Sequence, residues 1–256
     1  MQLYVEETGP QDAHAIVFLH GGGLSGRMWQ PQLEALSDYH CIVPDLPEQG
    51  HSANISPFSL DDSARRVANL IQIRCAQQRA HLVGLSLGGA VALTVLNLTP
   101  ELVDRVVISG TAAGLGRLLG SISKVSARLY RYLDAETLVK LSIQQFGIPP
   151  QYQDIFRDDL LKGMTEAFTQ HYTDALMAMR LPTGALAPTL VAVGERETWI
   201  AKQAARKIAA ILPHALAVIA PGVGHVWNLQ RPRLFSDMLR AWYEDKPLPT
   251  ELRSRT

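Results

Sequence analysis

Ser86 stands in the pattern Gly84-Leu85-Ser86-Leu87-Gly88, between an apolar run at 81–83 and a helix-forming stretch at 91–96. That spacing predicts a strand, a sharp turn at the serine and then a helix. In such a turn the residues two before and two after the serine crowd together, and only hydrogen fits as their side chain. The strain lifts the hydroxyl off the sheet edge and aims the first amides of the helix at whatever lies above it. A hydroxyl there is a poor nucleophile until a base takes its proton, and the base must be oriented by a third group. The chemistry on offer is acyl transfer.

Reactive groups in an open parallel sheet gather beyond the carboxyl ends of its strands. Three loops meet that condition. His225 follows the glycine-rich Pro221-Gly222-Val223-Gly224 and is the expected general base. Glu197, in Gly194-Glu195-Arg196-Glu197, is the expected orienting acid, with Glu195 as its competitor. Asp104 precedes its strand and so lies at the wrong end, while Ser109-Gly110-Thr111 offers no carboxylate. For an oxyanion, the backbone N–H of Leu87 and that of Gly22, in the loop His20-Gly21-Gly22, are the expected donors. His20 is expected to fix that loop by hydrogen bonds.

The elements that must place these groups alternate. Strands are expected at 3–7, 15–19, 41–44, 81–85 and 105–109, with helices at about 26–36, 59–77 and 87–99. Apolar runs closed by glycine or polar loops read as buried parallel strands. Ser59 is an expected N-cap, with Asp62 three residues on. From about 111 to 188 only helical periodicity remains, which reads as a cap over the strand ends. Strands at 189–193 and 215–219 and helices near 201–211 and 232–243 follow, and the polar tail from Glu244 is expected to be loose.

Composition agrees with one domain. The chain has 256 residues, 47% hydrophobic and 19% charged, enough apolar material for a sizeable core and too much for disorder. A formal net charge of zero gives no electrostatic footprint for nucleic acid or an anionic membrane. No apolar run approaches a membrane span, and the opening residues go straight into a strand-like pattern; a cytoplasmic location is expected. Cys41 and Cys75 match no metal spacing and read as buried free thiols.

These residues resemble the α/β-hydrolase superfamily. The resemblance rests on Phe18-Leu19-His20-Gly21, Asp45-Leu46-Pro47 through Gly50-His51-Ser52, the Ser86 turn, Val193-Gly194-Glu195-Arg196-Glu197 and Gly224-His225, in the family's order over nearly the whole chain. It looks most similar to the small capped bacterial group of esterases, enol-lactonases and carbon–carbon bond hydrolases. The resemblance implies an α/β fold: a mostly parallel twisted sheet with flanking helices, and an all-helical cap inserted after the sixth strand of the family fold. The expected division is 1–110 with 187–256 as core and 111–186 as cap. It also implies nucleophile Ser86, acid Glu197, base His225, oxyanion amides of Gly22 and Leu87, and no cofactor or metal. Two departures stand out: Glu197 occupies a place usually held by Asp, and Glu48 one usually held by Gly.

The expected activity is that of a serine hydrolase cleaving small, mostly neutral carboxylic esters through an acyl-enzyme. A lactonase or carbon–carbon bond hydrolase with the same triad is the alternative, and a low-turnover ligand-binding protein the more distant one. Partners are then a small ester or lactone, with no nucleic acid or membrane, in a monomer or homodimer. Apolar substrate contacts are expected from Leu24, Val226 and Trp227, and from Tyr130, Phe168 and Met177 in the cap. Phe146 is a further cap candidate, and Arg27 and Arg196 leave room for an acidic substrate.

Overall fold

Alternating side chains on each strand feed two separate cores. Val17, Leu82, Val106 and Val191 point to one face of the sheet, and Ile16, Val83, Val107 and Leu190 to the other. The period of two is that of a strand buried on both sides. A computed structural model of the chain describes residues 1–114, 116, 134–184 and 187–254. Its eight-stranded sheet runs β1(Val5–Thr8), β3(His40–Pro44), β2(Ala15–Leu19), β4(Ala80–Leu85), β5(Val103–Ser109), β6(Thr189–Gly194), β7(Ala215–Ala220) and β8(Arg253–Ser254). The six inner strands are parallel, while β1 and β8 close the edges antiparallel.

Helices α2(Leu60–Arg74), α3(Leu87–Leu98) and α7(Trp199–Ile211) cover one face. On the other lie α1(Gln30–Ala35) and α9(Pro232–Tyr243), with Trp29 and Phe235 fully buried between. The Ser59 side chain accepts from the Asp62 amide, as its spacing predicts, although α2 ends at Arg74 and not at 77. Between β5 and β6 the described elements are all helical: α4(Ala135–Phe146), α5(Gln153–Gly163) and α6(Glu166–Ala178). In this chain's own count they follow the fifth strand.

Connections leave β2 and β4 in opposite directions, β2 towards β3 and β4 towards β5. Where two parallel neighbours part in this way a crevice opens at their carboxyl ends. The His20 loop and the Ser86 turn are its two walls.

The tail differs from expectation. Leu252 is buried, and Arg253 and Ser254 pair with Ile219 and Val218, so β8 ties the tail to the sheet. A two-residue polar strand leaves no hydrophobic period to read. Cys41 and Cys75 are buried free thiols, each pushed up to about 12 by burial. Among the described residues no helix is long and apolar enough to cross a membrane.

Candidate active site

Ser86 caps α3 with φ 55° and ψ −110°, a left-handed conformation that costs a non-glycine residue about 1–3 kcal/mol. A methyl group on Gly84 would collide with the Gly88 carbonyl, and one on Gly88 with the Leu19 carbonyl. The two glycines are therefore required by close approach. The Ser86 amide donates to the Ser109 carbonyl at 2.8 Å, which fastens the turn to the end of β5.

The expected base and acid converge on that same end. His225 Nδ1 and Glu197 Oε2 are 2.9 Å apart. The Glu197 side chain is 4% exposed, and its Oε1 has no hydrogen-bond partner among the described residues. The imidazole is the one neighbour that offsets burial of this carboxylate, so Nδ1 carries the proton and Nε2 is left to accept. Gly110, at φ +60°, sits under the pair: a Cβ there would lie 2.7 Å from His225 Nδ1 and 2.9 Å from Glu197 Oε1. Any side chain at 110 would push the acid and base apart. The sequence signal was a glycine closing a central strand, and the chemistry sought there was a carboxylate.

The loops themselves are zipped together. The Arg196 amide donates to the Val223 carbonyl at 2.8 Å and the Glu197 amide to the Gly194 carbonyl at 3.1 Å. Gln230 accepts from the Gly224 amide at 2.8 Å and donates to the Phe146 carbonyl at 2.6 Å, so α4 also braces the His225 loop. Glu195 faces the other way. It accepts from the Gly222 amide and pairs with Arg253, both at 2.8 Å. Of the two candidate acids, Glu197 is the one placed on His225.

Across the crevice, His20 is fully buried and burial pushes its pKa down. Its Nε2 accepts from the Leu46 amide at 2.9 Å, so Nδ1 donates to the Gly21 carbonyl, also at 2.9 Å. A neutral histidine thus ties the loop after β2 to the loop after β3. The Gly23 amide is taken by Gln49 Oε1 at 2.7 Å. Among the described residues the Gly22 amide forms no hydrogen bond. A Cβ on Gly22 would be 3.8 Å from that of Leu87, so the two expected oxyanion donors stand side by side.

Helix α6 roofs this spot. Phe168 is fully buried, and its ring would lie 3.5 Å from a Gly22 Cβ. Tyr172 stacks on Phe168 with centroids 5.7 Å apart, and Phe58 meets both rings edge-on. Burial pushes the Tyr172 phenol up to about 12, with the neighbouring Ser86 hydroxyl pulling the other way. Among the described residues no hydrogen bond joins Ser86 to His225. Hydrogen bonds of this kind often tighten only when a substrate binds. Tyr172 was not expected from the sequence: its position on α6 follows from helix register, which one sequence does not set.

Glu48 has φ 64°, which explains why glycine is the easier residue there. The glutamate stays because its carboxylate is occupied. Ser56 donates to it, and His171 Nδ1 on α6 is 3.0 Å from both oxygens. His171 therefore fastens the roof to the loop after β3.

Of the expected substrate contacts, Phe168 is at the site. Met177 is half-buried further along α6, and Tyr130 lies outside the described residues. Leu24, Val226 and Trp227 are buried in the core. Trp227 fails to face the crevice because α8(Trp227–Gln230) turns its indole to donate to Ser109 Oγ at 2.8 Å and to pack on Phe235. Arg27 is bound to Asp158 and Asp159 of α5. On the His225 side a cavity of about 1070 Å³ opens, bordered by Gly110, Phe146, Glu197 and His225.

The family model described as the Alpha/beta hydrolase family matches residues 16–238. The chain belongs to the alpha/beta hydrolase family. One of its relatives is a carboxylesterase of Bacillus subtilis, 27% identical over 90% of this chain and 80% of the relative. Another is a pimeloyl-[acyl-carrier protein] methyl ester esterase of Photobacterium profundum, 27% identical over 88% of this chain and 92% of the other. A solved structure of the same fold, the enol-lactonase from Burkholderia xenovorans LB400, superposes with a TM-score of 0.80 at 22% identity, covering 94% of this chain and 96% of that one.

Proposed function

We propose that this protein is a serine hydrolase that cleaves carboxylic esters through an acyl-enzyme. The observation that carries the reading is the meeting of the Ser86 turn with the His225–Glu197 pair at one strand end. Esterases among its relatives support it. Ser86 Oγ attacks the ester carbonyl carbon while His225 Nε2 takes the hydroxyl proton. Glu197 holds the ring and stabilises the imidazolium. The negative carbonyl oxygen settles on the amides of Gly22 and Leu87, each such donor lowering the barrier by on the order of 3 kcal/mol. Collapse breaks the carbon–oxygen bond of the ester, and His225 gives its proton to the departing alcohol. Water, deprotonated by the same nitrogen, then releases the acid and restores Ser86.

Tyr172 enters as the phenol beside Ser86. At neutral pH the phenol keeps its proton, so it can donate to Ser86 Oγ or to a bound ester oxygen. Turnover of 4-nitrophenyl butyrate by the native protein and by Ser86→Ala tests the reading. The variant should lose on the order of 10⁴–10⁶ in kcat. Equal rates would remove Ser86 from the chemistry.

A further inference from the structure

In acyl transfer the two halves of the ester are sorted by where the proton goes. The carbonyl oxygen must sit at the Gly22 and Leu87 amides, and we place the acyl chain against the apolar rings beside them. The leaving oxygen must sit at His225, which protonates it, so the alcohol lies on the other side. The two sides of Ser86 differ in chemistry. On the acyl side the walls are Phe58, Phe168 and Tyr172 around Gly22 and Leu87, with no charged side chain in those contacts. On the alcohol side the cavity of about 1070 Å³ is lined by Arg196, Lys207 and Arg231, and its one carboxylate, Glu197, is already engaged by His225. None of these three cations is in an ion pair among the described residues, whereas Arg27, Arg240 and Arg253 elsewhere each have a carboxylate. Three unpaired cations around one concavity, in a chain of zero net charge, concentrate positive potential where the alcohol must depart.

We propose that the natural leaving group is anionic: the substrate joins a small apolar acyl group to an alcohol that carries a carboxylate or phosphate. This rests on the acyl-enzyme reading and departs from the mostly neutral ester expected from the sequence. That expectation drew on the apolar contact candidates, with Arg27 and Arg196 leaving room for an acidic substrate. The cations come from three separate segments, the loop after β6, helix α7 and the residue that opens α9.

Four esters with matched chemistry separate the two sides. They are 4-nitrophenyl butyrate, the butyrates of 4-hydroxy-3-nitrobenzoate and of 4-nitrophenol bearing a phosphate, and mono-4-nitrophenyl succinate with its charge on the acyl side. Rates are divided by those of alkaline hydrolysis. The expected result is a kcat/KM about tenfold or more higher for a charged leaving group than for the neutral ester, carried mainly by KM. The charged acyl ester should fall below the neutral one. The gain should shrink severalfold in about 0.5 M NaCl and in the double variant Arg231→Gln/Lys207→Gln. Arg206→Gln, an equal change of charge outside the cavity, should leave the ratio unaltered. A better-ranked carboxylate or phosphate arm says which anion the site takes. A neutral ester cleaved as fast as both charged ones, or a preference for the charged acyl group, overturns the proposal. If no ester is cleaved faster by the native protein than by Ser86→Ala, the acyl-enzyme reading fails first.

Discussion

The two sides of Ser86 are built in different ways. On the proposed acyl side a fully buried ring, Phe168, is locked between Phe58 and Tyr172 and leans on the Gly22 loop, whose own backbone is pinned by His20 and Gln49. On the proposed alcohol side the walls are loops zipped by backbone hydrogen bonds and the flank of α7, and they present exposed Arg196, Lys207 and Arg231. Close packing fixes shape to a fraction of a methylene, while long charged side chains fix sign of charge and little else. The first side should therefore discriminate by size and the second by charge.

The largest effect should come from the floor shared by both sides. Glu197→Gln cannot hold the histidine tautomer and should lower kcat by about 10²–10⁴, whereas Glu195→Gln, on the outer face with Arg253, should stay within about twofold. Steady-state rates on 4-nitrophenyl butyrate check this, and the reverse order would assign the acid to Glu195. Next comes Tyr172→Phe, which keeps the ring stacked on Phe168 and deletes the phenol. A loss of about tenfold in kcat with KM within about twofold is expected, the worth of one hydrogen bond made in the transition state. A change confined to KM would reduce Tyr172 to a wall. The smallest change in rate should come from Phe168→Ala, whose effects are on selectivity and stability. Opening the packed side should move the preferred acyl chain towards hexanoate or octanoate, and thermal unfolding should show about 3–5 kcal/mol lost. An unchanged chain-length profile would contradict size selection by this wall.

How much of this was legible in the sequence follows the same division. Ser86, Glu197 and His225 each follow a strand whose apolar run is plain in the sequence, and strand ends fix where a loop emerges. Gly22 and Leu87 follow from the same rule. Tyr172 and Phe168 sit on a helix whose register against the sheet is set by packing, so Phe168 and Met177 were named and Tyr172 was not. Trp227 reads as a pocket residue from its place after His225, yet a single turn of helix sends it into the core. Arg27 reads as a free cation until Asp158 and Asp159, 131 and 132 residues away, close on it. Long-range partners of surface charges leave no local pattern.

Intact-mass and peptide mapping after treatment with a fluorophosphonate examine the central convergence most directly. One adduct per chain, located on Ser86, formed rapidly by the native protein and slowed by at least about 10³-fold in His225→Ala, is the predicted result. Labelling that misses Ser86 in the folded protein, or proceeds equally fast without His225, would contradict it.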